Sequence, residues 1–180
     1  MKQMRRDFMK TLRCAVNAAL MALCAIVPLS VSAQTPPNVL IVGQVAEPKS
    51  LDPHAVTAVN DFRILMNLYE GLVQYKDGTL EVEPALAESW TVSEDGKTYT
   101  FKLRDGVKFH DGTPLTADAV KFNFDRMLDE THAYHNTGPF PLSFFFSSIE
   151  NVEAIDAQTV RFTLNAPYAL FFLILHTQRA

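Results

Sequence analysis

The side chains in this 180-residue chain with the most evident chemical potential are histidines and a carboxylate: His110 beside Asp111, then His132 and His135. Imidazole and carboxylate are ordinary zinc ligands, so a secreted metal-dependent hydrolase is one reading of these four residues. A catalytic zinc needs three protein ligands, and no third stands at a recognisable spacing from the His132 and His135 pair. The only cysteines, Cys14 and Cys24, fall within the first 33 residues, leaving the remainder without thiolate or disulfide chemistry. There is no Gly-x-Ser-x-Gly elbow and no glycine-rich phosphate loop. No catalytic group, metal ligand or cofactor is therefore assigned.

Composition places the chain among globular proteins: 48% of residues are hydrophobic, 20% charged and 11% aromatic, enough to bury a core. The first 33 residues read as a cleavable export signal. Lys2, Arg5, Arg6, Lys10 and Arg13 make a basic start, Cys14 to Leu29 is mostly apolar, and Val31-Ser32-Ala33 supplies small residues before a cut at Gln34. Asn17 and Pro28 interrupt the apolar run, which argues against a membrane span of about 20 residues. Arg5-Arg6-Asp7-Phe8-Met9-Lys10 has the form of a twin-arginine address, read by a receptor. Leu23 stands where lipid attachment at Cys24 would need a small residue. Of the 16 basic and 20 acidic residues, the signal takes five and one, leaving 11 and 19, a net charge of −8 beyond it with histidine neutral. That balance excludes nucleic acid and anionic membrane as natural partners.

Val39 to Val42 is a compact apolar run of buried-strand type. The loop Glu47 to His54 carries two prolines. Phe62, Leu65, Met66 and Tyr69 recur at helical spacing, predicting a helix from Asp61 that Gly71 ends. Asp-Gly occurs at 77–78, 95–96, 105–106 and 111–112, and four such turns in so short a stretch predict a meander of antiparallel strands. Tyr99, Phe101 and Leu103 alternate with Thr98, Thr100 and Lys102, as on a half-buried strand. Thr116 is placed as the N-cap of a helix whose apolar stripe is Val120, Phe124, Met127 and Leu128, running to about Asp129. Residues 132–148 read as irregular, with Phe144 to Phe146 expected to be buried and Trp90 expected in the core. Ile149 to Ile155 and Thr159 to Leu164 read as a strand pair around Asp156-Ala157. Tyr168 to His176 begins a strongly apolar helix that needs a surface to cover it. That ending reads as the edge of an N-terminal fragment, with 170–175 left exposed and prone to association.

Five pieces in order, AEPKSLDP (46–53), LYEGLVQY (68–75), PALAESW (84–90), DGKTYTFKLRDGVKFHDGTPLTADAVKF (95–122) and VRFTLNAPYALFF (160–172), resemble family 5 of the bacterial extracellular solute-binding proteins. The resemblance spans about residues 39–170. It implies an α/β, periplasmic-binding-protein-like (class II, bilobed) fold with mixed sheets and antiparallel hairpins, closing on its solute like a hinge. Beyond the signal at 1–33 it implies the start of a first lobe at 34–79, and at 80–180 an extra domain with the beginning of the return to the first lobe, cut short. His110 falls within the turn FHDG, where a hairpin role is the simpler account. The implied ligand contacts are main-chain groups of the loop holding Thr57, Ala58 and Val59, with Tyr134 as an aromatic neighbour. The implied function is that of a periplasmic solute-binding component of an ABC importer, favouring peptides, monomeric when complete, with a membrane permease as partner. A metal-dependent hydrolase and a sensory module without a transporter stay open as alternatives.

Overall fold

The computed structural model describes residues 35–177, together with Met9. The export signal and its cleavage, twin-arginine and lipidation readings lie outside the described residues, apart from Met9. The chain divides at Gly43 and Gln44 into two units. In the first, the strand expected at Val39 to Val42 is absent: the run is irregular, with Leu40 86% and Ile41 74% exposed. Val39 N–H turns back to Pro36 O at 2.9 Å. A strand has no hydrogen bonds of its own, and no neighbouring strand among the described residues supplies a ladder.

In the second unit, helix α1 (Val59–Leu68) leads to strand β1 (Val73–Tyr75), which pairs antiparallel with β2 (Val82–Pro84). Then follow β3 (Ala87–Val92), β4 (Thr98–Leu103), helix α2 (Ala117–Leu128), β5 (Ile149–Asp156), β6 (Thr159–Leu164) and helix α3 (Phe171–Thr177). Short 3-10 turns lie at His135–Thr137 and Ser143–Phe146. The second sheet has the order β3-β4-β6-β5 and is antiparallel throughout.

That order departs from a meander. Asp77-Gly78 and Asp95-Gly96 do join paired strands, with positive φ at both glycines. Asp105-Gly106 and Asp111-Gly112 instead carry the chain away from the sheet, joined only by an isolated bridge between Lys108 and Pro114. The free edge of β4 is taken by β6, arriving much later in sequence, with Tyr99 opposite Phe162 and Phe101 opposite Val160.

The register puts Tyr99, Phe101, Leu103, Val160, Phe162 and Leu164 on one face, all buried. Thr98, Thr100, Lys102 and Arg161 occupy the other and stay partly exposed, the one-sided pattern of an antiparallel sheet with helices on a single face. Helix α2 covers this core with Val120, Phe124 and Met127, Phe124 meeting Phe162 edge-on at 4.9 Å. Thr116 caps it as expected, its hydroxyl accepting Ala119 N–H at 3.3 Å. Trp90 is half-buried against Phe101 and Phe172.

Three further expectations need correcting. The C-terminal helix is not left bare: Phe171, Ile174 and Leu175 are buried, and the Phe171 ring meets that of Tyr99 at 4.4 Å in a tilted contact, while among the described side chains Leu170 and Leu173 stay substantially exposed. Phe146 is fully buried, but Phe144 and Phe145 are exposed. In α1 only Leu65 of the predicted stripe is fully buried; Met66 points outward, and the other residue at 0% exposure is Asp61. A carboxylate early in the first turn suits the helix dipole and can serve main-chain donors of the preceding loop, which a periodicity argument does not weigh.

Candidate functional site

The loop from Glu47 to Ala58 is held at both ends. At its base, Lys49 N–H donates to Asp61 Oδ1 at 2.9 Å, and the Asn60 amide donates to Glu47 O at 3.3 Å. Asp52 organises its middle: its Oδ1 accepts His54 N–H at 2.9 Å and its carbonyl accepts Ala55 N–H at 3.1 Å, an Asx-type turn. His54 and Val56 are buried, each 4% exposed, and peg the loop to the protein. Thr57 is exposed, and neither its N–H nor its C=O is hydrogen-bonded among the described residues. Ala58 is extended at φ −84° and ψ 141°; its C=O is taken by Asp61 N–H and Phe62 N–H, while its own N–H is free. The Val59 side chain is 69% exposed.

Arg126, from the last turn of α2, reaches this loop from 74 residues away. Its guanidinium forks onto Asp52 with Nη1 to Oδ2 at 2.9 Å and Nη2 to Oδ1 at 3.0 Å, and Nη2 also reaches His54 Nδ1 at 2.9 Å. A planar fork of this kind matches a carboxylate as a lysine cannot. Burial raises the Asp52 pKa, but hydrogen bonds from Arg126 and from His54 N–H, with the Arg126 charge, outweigh it and hold the group below its usual value. His54 is lowered to about 4, first by burial and then by the Arg126 charge, against a weaker opposite pull from Asp52. Its neutral Nδ1 is therefore the acceptor of the Arg126 hydrogen bond.

Tyr134 sits on the irregular segment after α2, 54% exposed, with its ring against Phe122 at 5.4 Å and near His132 at 6.0 Å. Arg126 reaches this segment too. Nη1 donates to Thr137 Oγ1 at 3.2 Å, and that hydroxyl donates to Tyr134 O at 2.8 Å. The guanidinium lies 5.3 Å from the centre of the Phe140 ring, and a Cβ added at Gly138 would sit 3.2 Å from the Ala55 Cβ. Phe140 takes φ 39°, a left-handed conformation costly for a bulky residue, and is held there 3% exposed. The structure thus connects the loop leading to Thr57, Ala58 and Val59 with the segment of Tyr134. No direct hydrogen bond or ring contact joins Tyr134 to Thr57, Ala58 or Val59.

A cleft of about 550 Å³ lies beside the same salt bridge, lined among others by Leu51, Asp52, Leu68, Phe109, His110 and Arg126. None of Thr57, Ala58, Val59 and Tyr134 lines it. The four residues of the hydrolase reading are not gathered. Asp111 Oδ1 accepts Thr113 N–H and Oγ1 within the turn, His132 Nδ1 accepts Tyr134 N–H, and His135 Nδ1 pairs with Arg126 O. Among the described residues no group of three or more His, Cys, Asp or Glu side chains is placed to hold a metal. Sequence reasoning missed Asp52, His54, Asp61 and Arg126. The Asp-Pro-His loop hinted at the first two, but nothing local marked Arg126 as their partner.

The family model described as bacterial extracellular solute-binding proteins, family 5 Middle, matches residues 81–180, more than half of the chain. The chain belongs to this family. Among curated members, it is 40% identical over 147 residues to the probable D,D-dipeptide-binding periplasmic protein DdpA of Escherichia coli, covering 79% of this chain and 27% of that protein. It is 43% identical over 119 residues to heme-binding protein A of Haemophilus influenzae, covering 60% of this chain and 22% of that one. The chain therefore spans about a quarter of the length of these relatives. Of solved structures, the periplasmic binding protein DppA from Helicobacter pylori in complex with the peptide STSA matches with a TM-score of 0.64 at 39% identity, over 73% of this chain and 28% of that one. The mixed α/β fold of the periplasmic-binding-protein type expected for family 5 is the one observed.

Proposed function

We propose that this chain belongs to the periplasmic solute-binding component of an ABC importer and that its solutes are peptides. The observation that carries the reading is the segment at Thr57 and Ala58: Thr57 is exposed with neither main-chain group hydrogen-bonded among the described residues, and the N–H of the extended Ala58 is likewise free, while the base and the middle of the loop are anchored. An extended peptide offers complementary N–H and C=O groups whatever its side chains, so such a segment suits a binder of varied peptides. The H. pylori relative solved with a bound peptide and the E. coli relative named for a D,D-dipeptide support the same class. Tyr134 adds an apolar plane on the neighbouring segment. In this reading residues 34–79 begin one lobe, residues 80–180 form an added domain and the beginning of the return to that lobe, and the solute is enclosed by a second lobe. The complete protein works as a monomer, is exported through the twin-arginine signal and hands its solute to a membrane permease.

Calorimetric titration of the full-length protein with dipeptides, tripeptides and longer peptides tests this, with heme and nickel–histidine as comparison ligands. Saturable 1:1 binding of peptides is expected. Binding of heme or the nickel complex with no response to any peptide would replace the substrate class, and no binding to any of them would remove the transport reading.

A further inference from the structure

We propose that Arg126 is a positioning residue for ligand binding, a strut that holds the Thr57–Val59 wall and the Tyr134 segment in one fixed relation; this rests on the peptide-binding reading above. The two candidate ligand elements come from distant parts of the chain and do not touch each other through their named residues. What joins them is a continuous series of contacts: Asp52 to Arg126, Arg126 to Thr137, and Thr137 to the carbonyl of Tyr134. The close approach of Gly138 to Ala55 runs beside it. The carbonyl of Arg126 receives His135 Nδ1, and its guanidinium lies over Phe140, so both ends of the Tyr134 turn refer to the same residue.

The design of the wall makes the strut matter. Thr57 through both main-chain groups and Ala58 through its N–H can offer free partners only while the loop does not fold back to satisfy them itself. Asp61 fixes the base of the loop through Lys49, and Asp52 fixes its middle through Arg126. Releasing the second anchor lets the wall and the Tyr134 segment move independently, and a ligand touching both must then order them on binding, which weakens affinity. Arg126 itself contacts no ligand in this scheme.

The test uses full-length protein carrying Asp52→Asn or Arg126→Lys, each of which keeps side-chain size while breaking the charged fork. Hydrogen exchange is read at His54 and Ala55 on one loop and at His135 and Thr137 on the other, and affinity is read by calorimetry with a dipeptide that the unmodified protein binds. Thr116→Ala, which weakens the same helix at its other end, serves as a control for simple loss of stability. The expected result is that Asp52→Asn speeds exchange on both loops by roughly tenfold and lowers affinity by a similar factor, whereas Thr116→Ala leaves both unchanged. Unchanged exchange at His135 and Thr137 in Asp52→Asn, or an affinity loss no larger than that of Thr116→Ala, overturns the proposal. Should the unmodified protein bind no peptide, the function reading fails separately, and the exchange measurement still decides whether Arg126 couples the loops. If Arg126→Lys does not fold, Asp52→Asn alone carries the decision.

Discussion

Acid should destabilise this protein through His54 before it acts through any carboxylate. The imidazole is 4% exposed, its Nδ1 accepts from Arg126, and its pKa is lowered from 6.5 to about 4. Because the folded value lies below the unfolded one, the unfolded chain takes up the proton first as pH falls. Stability is therefore whole above about pH 6.5, is lost progressively between pH 6.5 and 4, and is lower by ~3 kcal/mol below that window, at about 1.4 kcal/mol per pH unit. The lowered carboxylates Asp52, Asp95, Asp111, Asp129 and Asp156 have their contribution in place above 3.8 and lose it only as pH falls further, outside the window. Urea unfolding at a series of pH values isolates the effect when the protein is compared with His54→Asn, whose amide oxygen can replace Nδ1 as acceptor but does not titrate. The variant should be flatter than the parent by roughly 2 to 3 kcal/mol between pH 7 and 4.5. Parallel curves for the two proteins would refute the buried, neutral His54 and with it the account of Arg126 as its donor.

Phe101→Ala, emptying a fully buried site at the centre of the β4 face, should cost about 3 to 5 kcal/mol in urea unfolding. Thr116→Ala should cost about 1 kcal/mol and lower the melting temperature by a few degrees, since it removes the acceptor for Ala119 N–H. Asp61→Ala should cost about 1 to 3 kcal/mol, because it removes the fully buried carboxylate that accepts the part-buried Lys49 N–H and leaves that donor without its partner. Changing Arg5 and Arg6 together to Lys should stop export while leaving expression intact, checked by fractionation; undiminished periplasmic protein would assign export to the general secretory route.

What the sequence determined by itself is what neighbouring residues decide. Thr116 caps α2 through a bond only three residues long, the Asp95-Gly96 turn joins β3 to β4, and the alternation of Tyr99, Phe101 and Leu103 names the buried face of β4. The strand pair around Asp156-Ala157 was legible for the same reason. The loop of Thr57, Ala58 and Val59 came from a resemblance, and only the structure added that both main-chain groups of Thr57 and the N–H of Ala58 are free among the described residues.

Tertiary structure decided everything that depends on which distant segment arrives. Periodicity says that a face is apolar but not what will cover it, so it could not foresee β6 beside β4 or the docking of Phe171 and Leu175 on the sheet. The same limit explains Val39 to Val42, where an apolar run lacks a neighbour to pair with. It applies most strongly to polar groups. Nothing in the local sequence marks Asp61 or Arg126 for a partner, and each acquires its role from a loop brought to it by the fold, where burial makes a satisfied hydrogen bond valuable and an unsatisfied one costly.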